Sequence, residues 1–413
     1  MRTDNNAMLT KVHEPKCPKA EMDIDKQMNR SVQESLEQII AKEVYKSYDI
    51  FIKKLSTDGG NYFGDLYEID VKGTTAKGFK EINLFVKQAI KMNPTESVLN
   101  VNSIYQNELL VYTELSKVYS NLQDEAGIPS GERFKMVNSY NESNEDAIIL
   151  ENLSKKGFEV RNRMDVVSLS FAIASIKEIA KFHGLSFVLE HKESDYCYNK
   201  LKKLQSPIQL NDSMKELVKM LSNDIVKYFD CDIQKKLRNF SDKICDKLPK
   251  YFQGKTGSVK CLCHSDFRIN NILFKEKGSE SAEAILIDYQ LIFWGSPVFD
   301  LLYFFYICTD REFRKNHMTY LKNIYHDTLR NYLNYFKIDV DKIYPKNIFL
   351  DDFEDHLEVG LLVAFYGLPF CFTREEEVPD FKDNVTDMKI KLHDSFVERF
   401  EGIVDDYLEW GII

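Results

Sequence analysis

The sequence has no apolar run long enough to span a bilayer. Its longest uncharged stretch, 359–373, contains Gly360, Gly367 and Pro369 and falls short of the ~20 residues a spanning helix needs. The first 23 residues contain no apolar core of signal-peptide length. Both absences predict a cytosolic protein with no membrane span. An excess of basic charge is also missing: 55 Lys and Arg stand against 65 Asp and Glu, a net charge of −10. That predicts no nucleic-acid partner, while leaving room for a local basic pocket for phosphates. Paired cysteine clusters are lacking too. The eight cysteines are scattered, and several lie in apolar runs where a thiol acts as a small buried hydrophobe. Cys261, Cys263 and His264 lie close together, but no second ligand cluster follows, which argues against zinc. A reducing compartment fits this usage. There is no internal repeat and no low-complexity tract.

What is present is a 413-residue chain, 44% hydrophobic and 29% charged, able to bury a large core in two lobes. It is organised around residues 259–306. Two apolar strand-like runs, 259–263 and 284–287, each end on polar residues. The first delivers His264, Ser265 and Asp266, with Asn271 five places on; the second delivers Asp288. Read together they predict a β-hairpin with catalytic side chains at its mouth. The spacing H-x-D-x-x-x-x-N, followed by a strand ending in Asp, suits phosphoryl transfer from ATP. One carboxylate sits by the attacking hydroxyl, while an amide oxygen and a second carboxylate hold Mg2+ on the phosphates. Asp266 is the expected base, and Asn271 and Asp288 the expected metal ligands. Taken singly, each of these residues would also suit a surface turn.

The stretches HSDFRINNILF and ILIDYQLIFWGSPVFDLLYFF resemble the ecdysteroid kinase-like (CHK kinase-like) family of arthropods. That family is similar to aminoglycoside phosphotransferases and choline kinases. Its pattern has Gly where this chain has Ser265, Trp where it has Arg268, and Phe where it has Tyr289; none of these is a presumed base or metal ligand. The resemblance spans roughly 40–410. It implies an α+β, bilobal protein-kinase-like fold with a small antiparallel-sheet N-lobe and a mainly helical C-lobe. It also implies ATP and Mg2+ as cofactors, an arthropod source, and ecdysteroids or hydroxylated xenobiotics as candidate acceptors.

Along the chain, residues 1–28 read as a polar, disordered tail. A helix begins near Ser31 and is expected to run to about Leu55. The period then changes to two, with Tyr67, Ile69 and Val71 facing one way. By resemblance, the turn at Gly60, Asn61 and Gly64 corresponds to the loop over the ATP phosphates, and Lys87 to the ATP-orienting lysine. Lys77, Lys80 and Lys91 are competitors outside any strand-like run. Glu108 interrupts the apolar stripe Val101, Ile104, Tyr105, Tyr112 and Leu115, and a carboxylate there needs a partner, which Lys87 would supply. Two strands are expected at 134–140 and 147–150. They lead to Glu151, Asn152 and Leu153, which resemble the hinge that binds the adenine edge through backbone groups. An apolar helix, 166–182, is expected to end at His183 and Gly184, with His183 in a core or helix-end role. Asp300 lies in the apolar run VFDLLYFFY and must be satisfied internally; with His264 it is expected to support the catalytic loop. The aromatic run 364–372 suits either core or an acceptor pocket wall.

These readings divide the chain into the tail, an N-lobe at 29–153 and a C-lobe at 154–413. Only eleven residues separate Asp288 from Asp300, and neither Asp-Phe-Gly nor Ala-Pro-Glu occurs. That leaves no peptide platform of the protein-kinase kind. The function expected is phosphorylation of a small hydroxylated acceptor. The alternative is an idle nucleotide or small-lipid binding module on the same fold.

Overall fold

The computed structural model describes residues 28–55, 64–89, 99–208, 211–253, 258–277, 282–373 and 390–413. The expected tail lies outside them, apart from the buried Met28, and so do Gly60, Asn61 and Lys91.

Alternation along two strands builds the N-terminal part. β2 (Gly64–Thr75) pairs antiparallel with β3 (Gly78–Ala89), setting Tyr67 opposite Val86, Ile69 opposite Leu84 and Val71 opposite Ile82. These six side chains are buried on one face against Val32, Leu36, Ile39 and Ile40 of α1 (Arg30–Lys42). The intervening residues, among them Leu66, Glu68, Phe85 and Lys87, line a cleft on the other face. The period of two thus separates a core face from a cleft face. β1 (Ser47–Leu55) and β4 (Ala147–Glu151) complete an antiparallel sheet of order β1-β2-β3-β4.

Two expectations fail here. The first helix stops at Lys42, and 47–55 is a strand. Val44 adopts φ 53°, which ends the helix, and Tyr48, Ile50 and Ile52 then pack by alternation on the sheet core. The 134–140 segment forms no continuous strand. It touches β4 through a single bridge, Ser139 to Leu150, with Tyr140 N–H donating to Ile149 O at 2.9 Å.

The rest is mainly helical and carries a second, larger core. α2 (Val101–Leu110) runs through a π-turn, Val111–Leu115, into α3 (Ser116–Glu125). α4 (Leu169–Lys192) is buried along most of its length and continues through His183 and Gly184. It does not end there because Gly184 lets α9 (Arg311–Tyr335) come close: a Cβ would meet Tyr332 at 3.1 Å and Leu329 at 3.3 Å. α5 (Ser194–Asn199), α6 (Asp212–Ile225) and α7 (Cys231–Gln253) fill the stretch before the central block.

In that block the two apolar runs do not pair with each other. β5 (Cys261–Cys263) pairs with β8 (Phe293–Gly295), and β6 (Ile272–Glu276) forms the hairpin with β7 (Ala282–Leu286). α8 (Val298–Cys308), buried on all sides, follows. An antiparallel sheet with α1 on its core face and α2 and α3 inserted between β3 and β4, followed by a mainly helical part, gives the α+β kinase-like fold.

Candidate active site

The cleft between the sheet and the helical part is a cavity of about 870 Å3. Lys87, Glu108, Glu151, Leu153, Asn271 and Asp288 all line it.

Lys87 projects from the cleft face of β3. Its Nζ donates to Glu108 Oε2 at 2.8 Å, Asp288 Oδ1 at 2.7 Å and Gln290 Oε1 at 3.2 Å. Lys80 instead pairs with Glu43, and Lys77 lies in an exposed turn. Burial works against the Lys87 charge, but the carboxylates of Asp288 and Glu108 outweigh it and hold its pKa above the usual lysine value. At Glu108 the balance reverses. Burial pushes its carboxyl up to about 7, with Lys87 pulling down and Asp288 pushing up. One ammonium shared between two carboxylates cannot fully compensate both. Gly64 begins β2 beside this lysine, and a Cβ there would sit 3.0 Å from Lys87 Cγ.

The helix carrying Glu108 is tied to the segment after Asp288, since Asn107 Nδ2 donates to Gln290 O at 3.2 Å and Ile292 O at 3.3 Å. Gln290 is a ligand of Lys87 that the residue-by-residue reading missed. Its place two residues after Asp288 was the available signal.

The turn after β5 runs through His264 and Ser265 and reaches Asp266, which is 3% exposed. Asp266 Oδ2 accepts from Asn271 Nδ2 at 2.8 Å, and Oδ1 accepts from Tyr303 OH at 2.9 Å. Arg268 Nε lies 2.9 Å from the same Oδ1. Asn271 immediately precedes β6, and its carbonyl takes the Ile287 N–H at 3.0 Å, closing the hairpin mouth next to Asp288. The expected base and metal ligands therefore stand at one mouth. Tyr303 and Arg268 are further neighbours of Asp266. Tyr303 falls one helical turn after Asp300 on α8, a spacing that points it at the same loop.

Support comes from behind. Asp300, fully buried, accepts the His264 N–H at 2.7 Å and the Ser265 N–H at 2.6 Å. His183 Nε2 lies 2.9 Å from Asp300 Oδ2, and its Nδ1 lies 2.8 Å from Tyr325 OH. Burial disfavours charge on His183, but Cys261 and Asp300 push it up to about 9. His264 Nε2 lies 3.0 Å from Ile287 O, linking the 264–266 turn to the strand that leads into Asp288. Ser265 and Asp288 both adopt left-handed backbone, with φ 69° and 66°, a conformation costly for residues other than Gly.

At the expected hinge, Asn152 Nδ2 donates to Glu68 Oε1 at 3.1 Å, and its Oδ1 accepts the Ser154 N–H at 3.0 Å. An Asp there could not donate to Glu68. The Asn152 amide thus ties β2 to the turn that follows β4. The aromatic run 364–372 is core for the most part, though Cys371 Sγ lies 3.6 Å from Arg268 Nη1.

Asn271 and Asp288 offer hard oxygen ligands to the same cavity. Among the described residues no group of three His, Cys, Asp or Glu could hold a metal. A pair of side-chain ligands suits Mg2+, which keeps waters and shares its shell with substrate phosphates.

The family model described as ecdysteroid kinase-like family matches residues 58–338. No curated protein matches the chain. Among solved structures, a Plasmodium vivax ethanolamine kinase is similar at 11% identity, covering 88% of this chain and 83% of its own, with a TM-score of 0.40. An aminoglycoside 2'-phosphotransferase-IIIa in a GDP complex is similar at 10% identity, covering 91% of this chain and 98% of its own, with a TM-score of 0.39.

Proposed function

Because the chain belongs to the ecdysteroid kinase-like family, we propose that it is a cytosolic ATP- and magnesium-dependent kinase acting on a hydroxyl of a small molecule, with ecdysteroids and hydroxylated xenobiotics as candidate acceptors. The observation that carries the proposal is the buried contact of Lys87 with Glu108 and Asp288 at once. A lysine so fixed at the wall of a cleft can orient phosphates.

Asp266 is the base. It takes the acceptor hydroxyl's proton as the new P–O bond forms and the bond from the γ-phosphorus to the bridging oxygen breaks, releasing ADP. Tyr303 and Asn271 hold its carboxylate in place. Asn271 and Asp288 would hold magnesium, which when bound neutralises charge on the phosphates. Backbone groups at 151–153 would receive the adenine edge, where the N-lobe (29–153) passes into the C-lobe (154–413). Gly64 beside Lys87 leaves room for the phosphates, and Gly60 and Asn61 would complete that loop. Asp300 and His264 are support.

Incubating the protein with ATP, Mg2+ and an insect metabolite extract, followed by mass spectrometry, tests this. A product heavier by one phosphoryl group supports it. Nucleotide binding with no phosphorylated product under any acceptor would leave the idle binding module instead.

A further inference from the structure

The cleft face of the sheet is laid out in cross-strand rows. Leu66, Lys87 and Ile148 stand opposite one another on β2, β3 and β4, and Glu68, Phe85 and Leu150 form the next row. All six line the cavity. Two residues along a strand span about 7 Å, and β4 runs from Ile148 through Leu150 towards the turn at Asn152 and Leu153. The first row carries the lysine proposed to orient the phosphates. The second lies nearer the segment proposed to receive the adenine edge, and Phe85 and Leu150 make it apolar, which suits a flat ring. Glu68 brings a carboxylate into that row.

The hinge segment itself orients this carboxylate. Oε1 accepts from Asn152 Nδ2 at 3.1 Å and from Ser154 Oγ at 3.3 Å. Asn152 is buried, and its Oδ1 accepts the Ser154 N–H, which fixes the way its amide points. Lys53 stands opposite Glu68 on β1, yet among the described residues it makes no ion pair with it. Both donors therefore fall on one oxygen. Oε2 accepts no hydrogen bond from the described residues, and the side chain is only partly buried. An oriented carboxylate thus stands at the cleft wall with one oxygen left for a donor.

We propose that Glu68 selects the nucleobase. The inference rests on the reading of the cleft as an ATP site. Oε2 accepts one N–H of the 6-amino group of adenine, while the other goes to a backbone carbonyl of 151–153. A 6-oxo purine would bring a second acceptor to the same place, with no proton to share between the two oxygens. Glu68 therefore favours ATP over hypoxanthine and guanine nucleotides, and a β2 side chain makes a choice that the hinge backbone would otherwise make alone.

Calorimetry on the full chain with Mg2+ and ATP, inosine triphosphate or dATP tests it. Wild type should bind ATP at least about tenfold more tightly than inosine triphosphate. In Glu68→Gln, Asn152 and Ser154 still hold Oε1, so the amide nitrogen takes the place of Oε2 and donates to a 6-oxo group. The preference for ATP over inosine triphosphate should then fall by about tenfold or more. Glu68→Ala should also lose discrimination while still binding ATP, and neither variant should change the ratio of ATP to dATP affinity. Glu68 is partly exposed and belongs to neither hydrophobic core, so its replacement leaves both intact. Equal binding of ATP and inosine triphosphate by wild type, or an unchanged preference in either variant, overturns the inference and leaves the cleft a nucleotide site. So does a change confined to dATP, which would put the ribose on Glu68. Binding of no nucleotide at all overturns the cleft reading and this inference with it.

Discussion

Asp300 Oδ1 accepts the backbone N–H of Ser265 at 2.6 Å, across 35 residues of chain. With the His264 amide on Oδ2 and His183 beside it, the carboxylate fixes the turn that presents Asp266. Asp300→Ala would leave buried donors unpaired. Hydrogen bonds to a charged acceptor are worth about 1.5–3 kcal/mol each, so a loss of about 3 kcal/mol or more is expected in urea unfolding. A change below about 0.5 kcal/mol would remove the supporting role.

Ser265 itself sits at φ 69° with a buried hydroxyl that lacks a partner. The left-handed region costs an L-residue about 1–2 kcal/mol, and Gly loses about 0.5–1 kcal/mol in extra entropy. Ser265→Gly should therefore be neutral or stabilising by up to about 1 kcal/mol. A clear loss in unfolding midpoint would mean that the serine side chain contributes something the backbone strain conceals.

Glu108 makes stability depend on pH. Its carboxyl is raised from 4.5 to about 7 in the folded chain, chiefly by burial. The folded state thus favours the protonated form. That contribution is fully present below about 4.5 and is lost as pH rises through about 7. Measured by urea unfolding from about pH 5 to about pH 8, wild type should lose stability relative to Glu108→Gln by up to the order of 3 kcal/mol. Parallel curves for the two proteins would show that Lys87 compensates Glu108 completely.

The two aspartates at the hairpin mouth should separate by experiment. Asp266→Asn removes the proposed base, so turnover should fall by about 10²–10⁴, with Mg–ATP affinity little changed. Some stability should be lost as well, because the new amide must place an N–H against either Asn271 Nδ2 or the Tyr303 and Arg268 donors. Asp288→Asn weakens the hold on Lys87 and removes a charge from the proposed metal pair, so it should lower magnesium-dependent ATP binding and turnover together. Calorimetry with and without Mg2+ reads the difference; the opposite pattern would exchange the two roles.

Local pattern carried much of this protein. The alternation of Tyr67, Ile69 and Val71 specified which face of β2 meets the core, because side chains on a strand have no other choice of side. A carboxylate at Glu108 inside an apolar stripe called for a buried cation, and Lys87 supplies it. Chain-distant partnerships were settled only by tertiary packing. β5 takes β8 and leaves the nearer run to β6, a choice between strands of similar apolar character that depends on which pairing lets both ribbons cover the helical core. Residues 47–55 became a strand because β2 offered an edge to pair with, and α4 passed Gly184 because α9 packs where a side chain would stand. The contact of His183 with Asp300 joins residues whose proximity no spacing encodes. Periodicity is set by neighbours along the chain, whereas a buried polar group's partner is set by whichever segment folding brings against it.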